Sequence, residues 1–423
     1  MNEAFIHYLW KYRMLNRELS TESGHPLVII KPGEHNTNGG PDFFNARLRV
    51  GETLWAGNVE IHVRASDWYK HNHQLDKAYE NTILHVVYEP DIPVKWNGSG
   101  ELQTLVIKEK YPKEIYDRYQ MLMKNQLWIP CANLVGQDHM IYFRHWAPSL
   151  LVERMVEKSQ LIQHLWEGCD RNWEESFYRY LAINFGFRIN AFPFELLSRS
   201  LPLKLLRTYW NNRFQLESLL FGQAGMLEQD FTDAYPQTLS AEYRFLQAKY
   251  RLKSIHLSMW KYLRLRPSNF PNIRLSQFAA LINQSYGNLF SILESNTYPE
   301  ARKCFSVNAS NYWDTHFTFD KPSALIPKFL GNTSVNLLMI NGVATFLFFY
   351  GQIKDSQSLR EKAVYFIEQA AVEVNAEIIK WKESGFLPEN AQHSQALHQL
   401  KNGYCDKKRC LECRIGNKIL LRT

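Results

Sequence analysis

Apolar residues recur at helical spacing at Phe5, Tyr8, Leu9, Tyr12 and Leu15, which predicts a helix over 3–15. The pattern then changes to period two. Pro26 to Ile30 reads as a short buried strand. Phe43 to Val50 alternates around Phe44, Ala46, Leu48 and Val50, and Gly51-Glu52 fits a hairpin turn. Thr53 to Arg64 is a further strand, with Val59, Ile61 and Val63 on one face and Glu60 and His62 on the other, because side chains alternate along a strand. Residues 66–80 are polar, aromatic and helical in part. Thr82 to Glu89 is β-rich, and Gly100 to Ile107 adds a last candidate strand. The segment Lys31 to Pro41, with two Pro and three Gly, predicts a loop.

From about residue 112 helical spacing takes over, over 141–167, 173–185, 238–264, 275–294, 334–350 and 356–384. The expected architecture is an α/β core over 1–110 in the order αβββαβ, a large all-α domain over 111–400, and a basic, cysteine-rich tail over 401–423 that packs back on the body. The most apolar run, Ser334 to Tyr350, holds Asn336 and Asn341 and so predicts a buried helix rather than a membrane span. The opening residues, with Glu3 inside the apolar stretch, do not form a leader pattern. Six cysteines in 423 residues make no disulfide framework, so a reducing, cytoplasmic setting is expected, with no membrane partner.

Charge sharpens this division. Residues 1–140 hold 15 Lys+Arg against 17 Asp+Glu and eight of the 14 histidines, while residues 141–423 hold 34 against 25. An acid- and histidine-rich front with a basic rear suits a metal or catalytic site followed by a polyanion-binding surface.

The candidate chemistry begins at Pro41-Asp42, which opens one strand of the hairpin, and Glu60-Ile61-His62, late in the other. Paired in register, Asp42 and Glu60 can share a hard divalent cation, Mg²⁺ or Mn²⁺. Such an ion stabilises phosphoryl charge and lowers the pKa of a bound water, which His62 is placed to position or deprotonate. Glu34 and Asn38 are further candidates in the preceding loop. His71, His73 and Asp76 form an H-x-H-x-x-D cluster that suits a transition metal. His85, within an apolar strand, reads as a satisfied core histidine.

Pro41-Asp42 followed by Glu60-x-His62 resembles the motif of the PD-(D/E)XK nuclease superfamily, over about residues 3–90. That resemblance implies a restriction-endonuclease-like mixed sheet, two acidic metal ligands and phosphodiester hydrolysis. His62 stands where the superfamily has Lys, which also admits a catalytically inactive descendant. GPDFFNARL at 40–48, WAGNVEIHVRASDWYKHNH at 55–73 and DKAYENTILHVVYE at 76–89 resemble, through most of the chain, a bacterial family known only as a domain of unknown function.

Cys405-x4-Cys410-x2-Cys413 places three thiols within nine residues, and Cys131 is the first candidate for a fourth. Four thiolates suit Zn²⁺ or an Fe–S cluster. The tail also resembles the cysteine-rich iron–sulfur staple of some nucleases in the superfamily. Residues 244–274 carry eight Lys/Arg, no acid and five interleaved aromatics. Lys253, Lys261, Arg264, Arg266 and Arg274 are therefore candidates for contacts to nucleic-acid phosphates.

No phosphate-binding loop, dinucleotide fingerprint, nucleophile elbow or H-E-x-x-H motif is present, which removes support for ATPase, dinucleotide oxidoreductase, α/β-hydrolase and zincin chemistry. The leading expectation is a metal-dependent nuclease. The alternatives are an inactive nucleic-acid-binding scaffold with a structural metal, and a metal-dependent hydrolase of a small substrate working through the histidine cluster. Placement of Asp42 and Glu60 on opposite sheet faces would exclude a shared ion.

Overall fold

The computed structural model describes residues 1–16, 18–95, 100–136 and 138–421. Two units are resolved: Met1–Phe143 with Lys401–Thr423, and Arg144–Leu400.

The first unit opens with α1 (Glu3–Lys11), capped by Asn2, whose side chain accepts the Phe5 amide at 3.1 Å. The strands are β1 (Leu19–Ser20), β2 (Pro26–Lys31), β3 (Glu34–His35), β4 (Phe43–Val50) and β5 (Thr53–Arg64). After the short helix α2 (Asp67–Lys70) come β6 (Thr82–Glu89), β7 (Thr104–Val106) and helix α3 (Lys113–Lys124). The sheet runs β1-β2-β4-β5-β6-β7, with β3 added to β4. β2, β4 and β5 are antiparallel, and β6 and β7 continue parallel to β5. The parallel step requires a crossover, which residues 65–81 supply.

One sheet face is apolar. Phe43, Ala46, Leu48, Val59 and Ile61 share a core with Phe5, Ile6, Leu9 and Trp10 of α1. Phe5 stacks on Tyr119 of α3 at 4.9 Å, and Ile115 and Leu122 join the same core. Helix α3, placed with the helical part by its periodicity, thus folds with the sheet. The opposite face of β5 and β6 is also buried. Ala65, Trp68, Tyr79 and Val87 form a small apolar cluster there, so the polar side chains of that face lie beneath a cover.

The second unit is helical around one large apolar core. Its helix Asn332–Ile353 is long and apolar enough to cross a membrane by length and composition. Its most apolar window is 72% buried, as expected for a core helix.

Several elements differ from the periodicity. The loop 31–41 contains β3, which pairs Glu34 with Phe44 and His35 with Phe43. The helix expected over 238–264 spans Ala234–Tyr250 and stops at Arg251, in the left-handed region at φ 53°. Beyond it, side chains replace helical bonding: Gln223 donates to the Lys253 carbonyl at 2.5 Å, and the Trp260 indole to the Ala224 carbonyl at 2.9 Å. The stretch 356–384 divides into Gln357–Gln369 and Ala376–Glu383.

Gly57 on β5 allows β6 to approach closely. A Cβ there would lie 2.5 Å from Ile83 Cγ2 and 2.7 Å from the Asn81 carbonyl oxygen. Gly57→Ala is expected to destabilise the sheet by about 1–3 kcal/mol, seen as a lower urea midpoint. An unchanged midpoint would show that β6 yields freely.

Candidate functional site

Phe43 pairs with Val59, which sets Asp42 opposite Glu60. The pairing is reciprocal through the backbone. The Asp42 amide donates to Glu60 Oε2 at 3.1 Å, and the Ile61 amide donates to Asp42 Oδ2 at 2.9 Å. Register shifts between Phe43 and Ala46, a β-bulge in which Asn45 takes φ 56°. Bulges re-aim side chains beside sites of this kind.

Two ligand-rich groups flank this pair. Glu3 and His7 lie four residues apart, on one face of α1. With Asp42 they place one ligand atom each within 4.8 Å of one another. His7 Nε2 is 3.2 Å from Asp42 Oδ2. His62, His71 and His73 form the second group within the same limit. Glu60 Oε1 faces it, 3.2 Å from His73 Nε2 and 3.5 Å from His62 Nε2. His62 Nε2 is 3.2 Å from His71 Nδ1, and its Nδ1 is 2.8 Å from His85 Nε2. Glu60, His62, His73 and His85 are buried, and His71 is exposed at the mouth. His7 Nε2 and His73 Nε2 approach carboxylates closely without hydrogen-bond alignment. Such nitrogen and oxygen atoms, crowded together but not bonded to one another, are the donor set a cation takes.

The electrostatics follow from this burial. Glu60 is raised by burial, with the nearby Asp42 carboxylate adding to the effect and the His73 imidazole opposing it. Glu3 is raised by burial and by Asp42. His7 is raised, because Asp42 outweighs the opposing effect of burial. His62 and His85 are pushed down to about 2 and about 3 by burial and by neighbouring imidazoles. They are neutral at pH 7, the state in which imidazole binds a metal. Imidazole suits Zn, Fe or Ni, and the two carboxylates of the α1 group suit Mg or Mn.

Of the residues singled out from sequence, Asp42, Glu60, His62, His71 and His73 converge, with Asp42 in one ligand group and Glu60 facing the other. Asp76 does not join them; its carboxylate caps the Ala78 amide at 2.9 Å. Glu34 is exposed and paired with Lys31 at 3.1 Å. Asn38 is an exposed turn residue whose amide donates to the Asn36 side chain. Glu3 and His7 were missed; their signal is the i, i+4 spacing opposite the apolar stripe of α1. His85 is a buried strand histidine, yet its Nδ1 has no hydrogen-bond partner.

In the same unit, Cys405, Cys410 and Cys413 are buried and Cys131 is partly buried, all as free thiols. The tail is tied to α3: the Arg118 guanidinium donates to the Leu420 carbonyl at 2.9 Å, and Lys408 to the Met123 carbonyl. Cys131 and Cys410 are both pushed up to about 12, first by burial and then by neighbouring thiols. Among the described residues, no three of these sulfurs lie within 4.8 Å of one another. In the second unit Lys253, Lys261, Arg264 and Arg266 are exposed. Arg274 is only 4% exposed, because the helix that starts at Pro271 turns it inward.

The depressed His62 and His85 make the folded unit acid-sensitive. The unfolded chain protonates both near pH 6.5, so the contribution of their neutral forms is complete above that pH and is lost as pH falls toward the folded values. Chelator-treated protein is expected to lose up to about 1.4 kcal/mol per pH unit per histidine below pH 6.5. His85→Asn should flatten a pH series of urea midpoints; equal slopes in both proteins would contradict the assignment.

Comparison of the chain with curated proteins and with solved structures gives no match. A family model does match, over a span that takes in Glu3, His7, Asp42, Glu60 and the histidine cluster and stops before the three tail cysteines. The chain thus belongs to the family described as protein of unknown function DUF2851, whose model covers residues 3–376.

Proposed function

We propose that the sheet-bearing unit is a metal-dependent phosphodiester hydrolase, a nuclease on a restriction-endonuclease-like αβββαβ core. The observation that carries this reading is the reciprocal bonding of Asp42 and Glu60 across β4 and β5, with a ligand group on each side. The antiparallel β2-β4-β5 followed by a crossover to parallel β6 supports it. Asp42, with Glu3 and His7, would hold Mg²⁺ or Mn²⁺. Glu60, with His62, His71 and His73, would hold Mn²⁺ or a softer ion. A metal held there would supply an activated water and neutralise charge on a phosphoryl group. His62, buried and bonded to His85, would act as a ligand whose ring the second histidine orients. Exposed Lys253, Lys261, Arg264 and Arg266 would neutralise phosphates of a nucleic-acid substrate.

Purified protein is expected to cleave DNA or RNA with Mn²⁺, to do so less well with Mg²⁺, and to stop with EDTA. Asp42→Asn and Glu60→Gln should each lower turnover by about 100-fold or more. Activity that survives both substitutions would defeat the reading. The tight imidazole group favours one second reading, hydrolysis of a small phosphorylated or acyl substrate. Turnover lost in His71→Ala and His73→Ala but kept in Asp42→Asn would select it. Metal-independent binding with no cleavage, unchanged in Asp42→Asn and Glu60→Gln, would instead mark a catalytically inactive scaffold.

The four thiols would hold a structural metal. A single Zn²⁺ draws four sulfurs to about 3.8 Å separations. Four cysteines are also the usual ligand set of an Fe–S cluster, the first candidate here. Anaerobically purified protein should be brown, with absorbance near ~400 nm that Cys410→Ser abolishes. A colourless, metal-free protein would overturn the assignment, and stoichiometric zinc would replace the cluster by a single ion.

A further inference from the structure

The second unit contains a cavity of about 630 Å³, within the size range of small-molecule sites. Arg188, Arg264, Arg266 and Arg274 all line it, and its lining includes no Asp or Glu. Arg188, Arg264 and Arg266 are exposed. Among the described residues none of the three has a side-chain ion pair.

Arg274 is the decisive residue. It is 4% exposed, and burial pulls its guanidinium down only to about 10, so it stays charged at pH 7. Its bonds go to neutral acceptors: Gln277 Oε1 at 2.9 Å, Asn269 Oδ1 at 2.6 Å and Ser334 Oγ at 2.7 Å. Its Nε is buried with no partner, and its guanidinium lies over the Phe187 ring at 4.7 Å. A buried charge without a counter-ion is costly unless a ligand supplies one.

The surroundings fit an anion. Asn332, Thr333 and Ser334, the first turn of the 22-residue helix Asn332–Ile353, line the cavity. The Gly331 N-cap offers no side chain to satisfy that turn's amides. Free amides at a helix start favour a phosphate. Phe187, Leu265 and Leu337, each partly exposed, supply an apolar wall, and Asn190 fixes the arginine-bearing loop through two bonds of 2.9 Å to the Lys261 backbone.

We propose that this cavity binds a phosphate group carried on an aromatic body, the chemistry of a nucleotide. The proposal goes beyond the metal chemistry of the first unit and does not depend on it.

The test is calorimetric titration of the full chain in EDTA, which silences the metal site. Three probes are used: inorganic phosphate, a nucleoside 5′-monophosphate and a 5′-phosphorylated oligonucleotide. The monophosphate is expected to bind one per chain and more tightly than inorganic phosphate. The Arg264→Glu/Arg266→Glu double variant changes only exposed side chains and should fold normally by circular dichroism. It should weaken binding by about tenfold or more. Tighter binding of the oligonucleotide than of the monophosphate, lost in the same variant, identifies a strand end as the source of the phosphate. Absence of binding by all three probes, or equal binding by the folded variant, overturns the proposal.

Discussion

The candidate centre depends on one cross-strand exchange. Burial and the neighbouring Asp42 carboxylate both make Glu60 harder to ionise. Each carboxylate is nevertheless fixed by a backbone amide of the partner strand, Asp42 by the Ile61 N–H and Glu60 by the Asp42 N–H. Backbone donors cannot rotate away, so the carboxylates are held in place by the strands themselves. The bulge at Phe44–Asn45 belongs to the same device, because the register on its two sides differs by one residue on β4. A straight ladder from Val50 through Phe43 would carry Asp42 past Glu60.

The histidines are disposed around this pair by two separate pieces of local structure. β5 and the parallel β6 bring His62 beside His85, since Glu60 pairs with His85 and side chains alternate along the strands. The crossover then returns His71 and His73 over the same face. His73 stacks on Tyr79 at 3.9 Å and lies edge-on to Trp68 at 5.4 Å. The aromatics pack His73 tightly, while His71 keeps solvent access at the mouth.

The strands and the hairpin were legible because period-two patterning and one turn fix them locally; the direct opposition of Asp42 to Glu60 also needs the bulge at Phe44–Asn45, which that patterning does not announce. Glu3 and His7 were not legible, because their role comes from docking α1 on the sheet, and nothing near them in sequence encodes that contact. Asp76 shows the converse. It matched a ligand spacing, but capping an amide two residues away is a nearer bond, and the local bond won. Glu34 was likewise taken by Lys31. Arg264 and Arg274 look alike in a basic stretch, yet Pro271 starts a helix between them that buries one and leaves the other outside. The helix expected to run to residue 264 failed for a related reason: Gln223 and Ala224 bind the chain at Lys253 and Trp260 in place of helical bonds.

Three regions of this protein gather polar groups of one kind. Carboxylates and imidazoles crowd β4 and β5, four thiols gather around the tail, and four arginines line one cavity without an acid. Ordinary folding selects against each, because like groups brought together give up hydration and gain no partner. Each arrangement also has the chemistry of a different ligand: a hard or borderline cation, a soft metal centre, and an anion. Glu217, also buried in the second unit, is paired within the fold, bonded to Arg213, Ser276 and Ser310. Arg274 has no such acidic partner. The contrast between these two buried charges, one neutralised within the fold and one not, separates a charge kept for structure from a charge kept for a ligand.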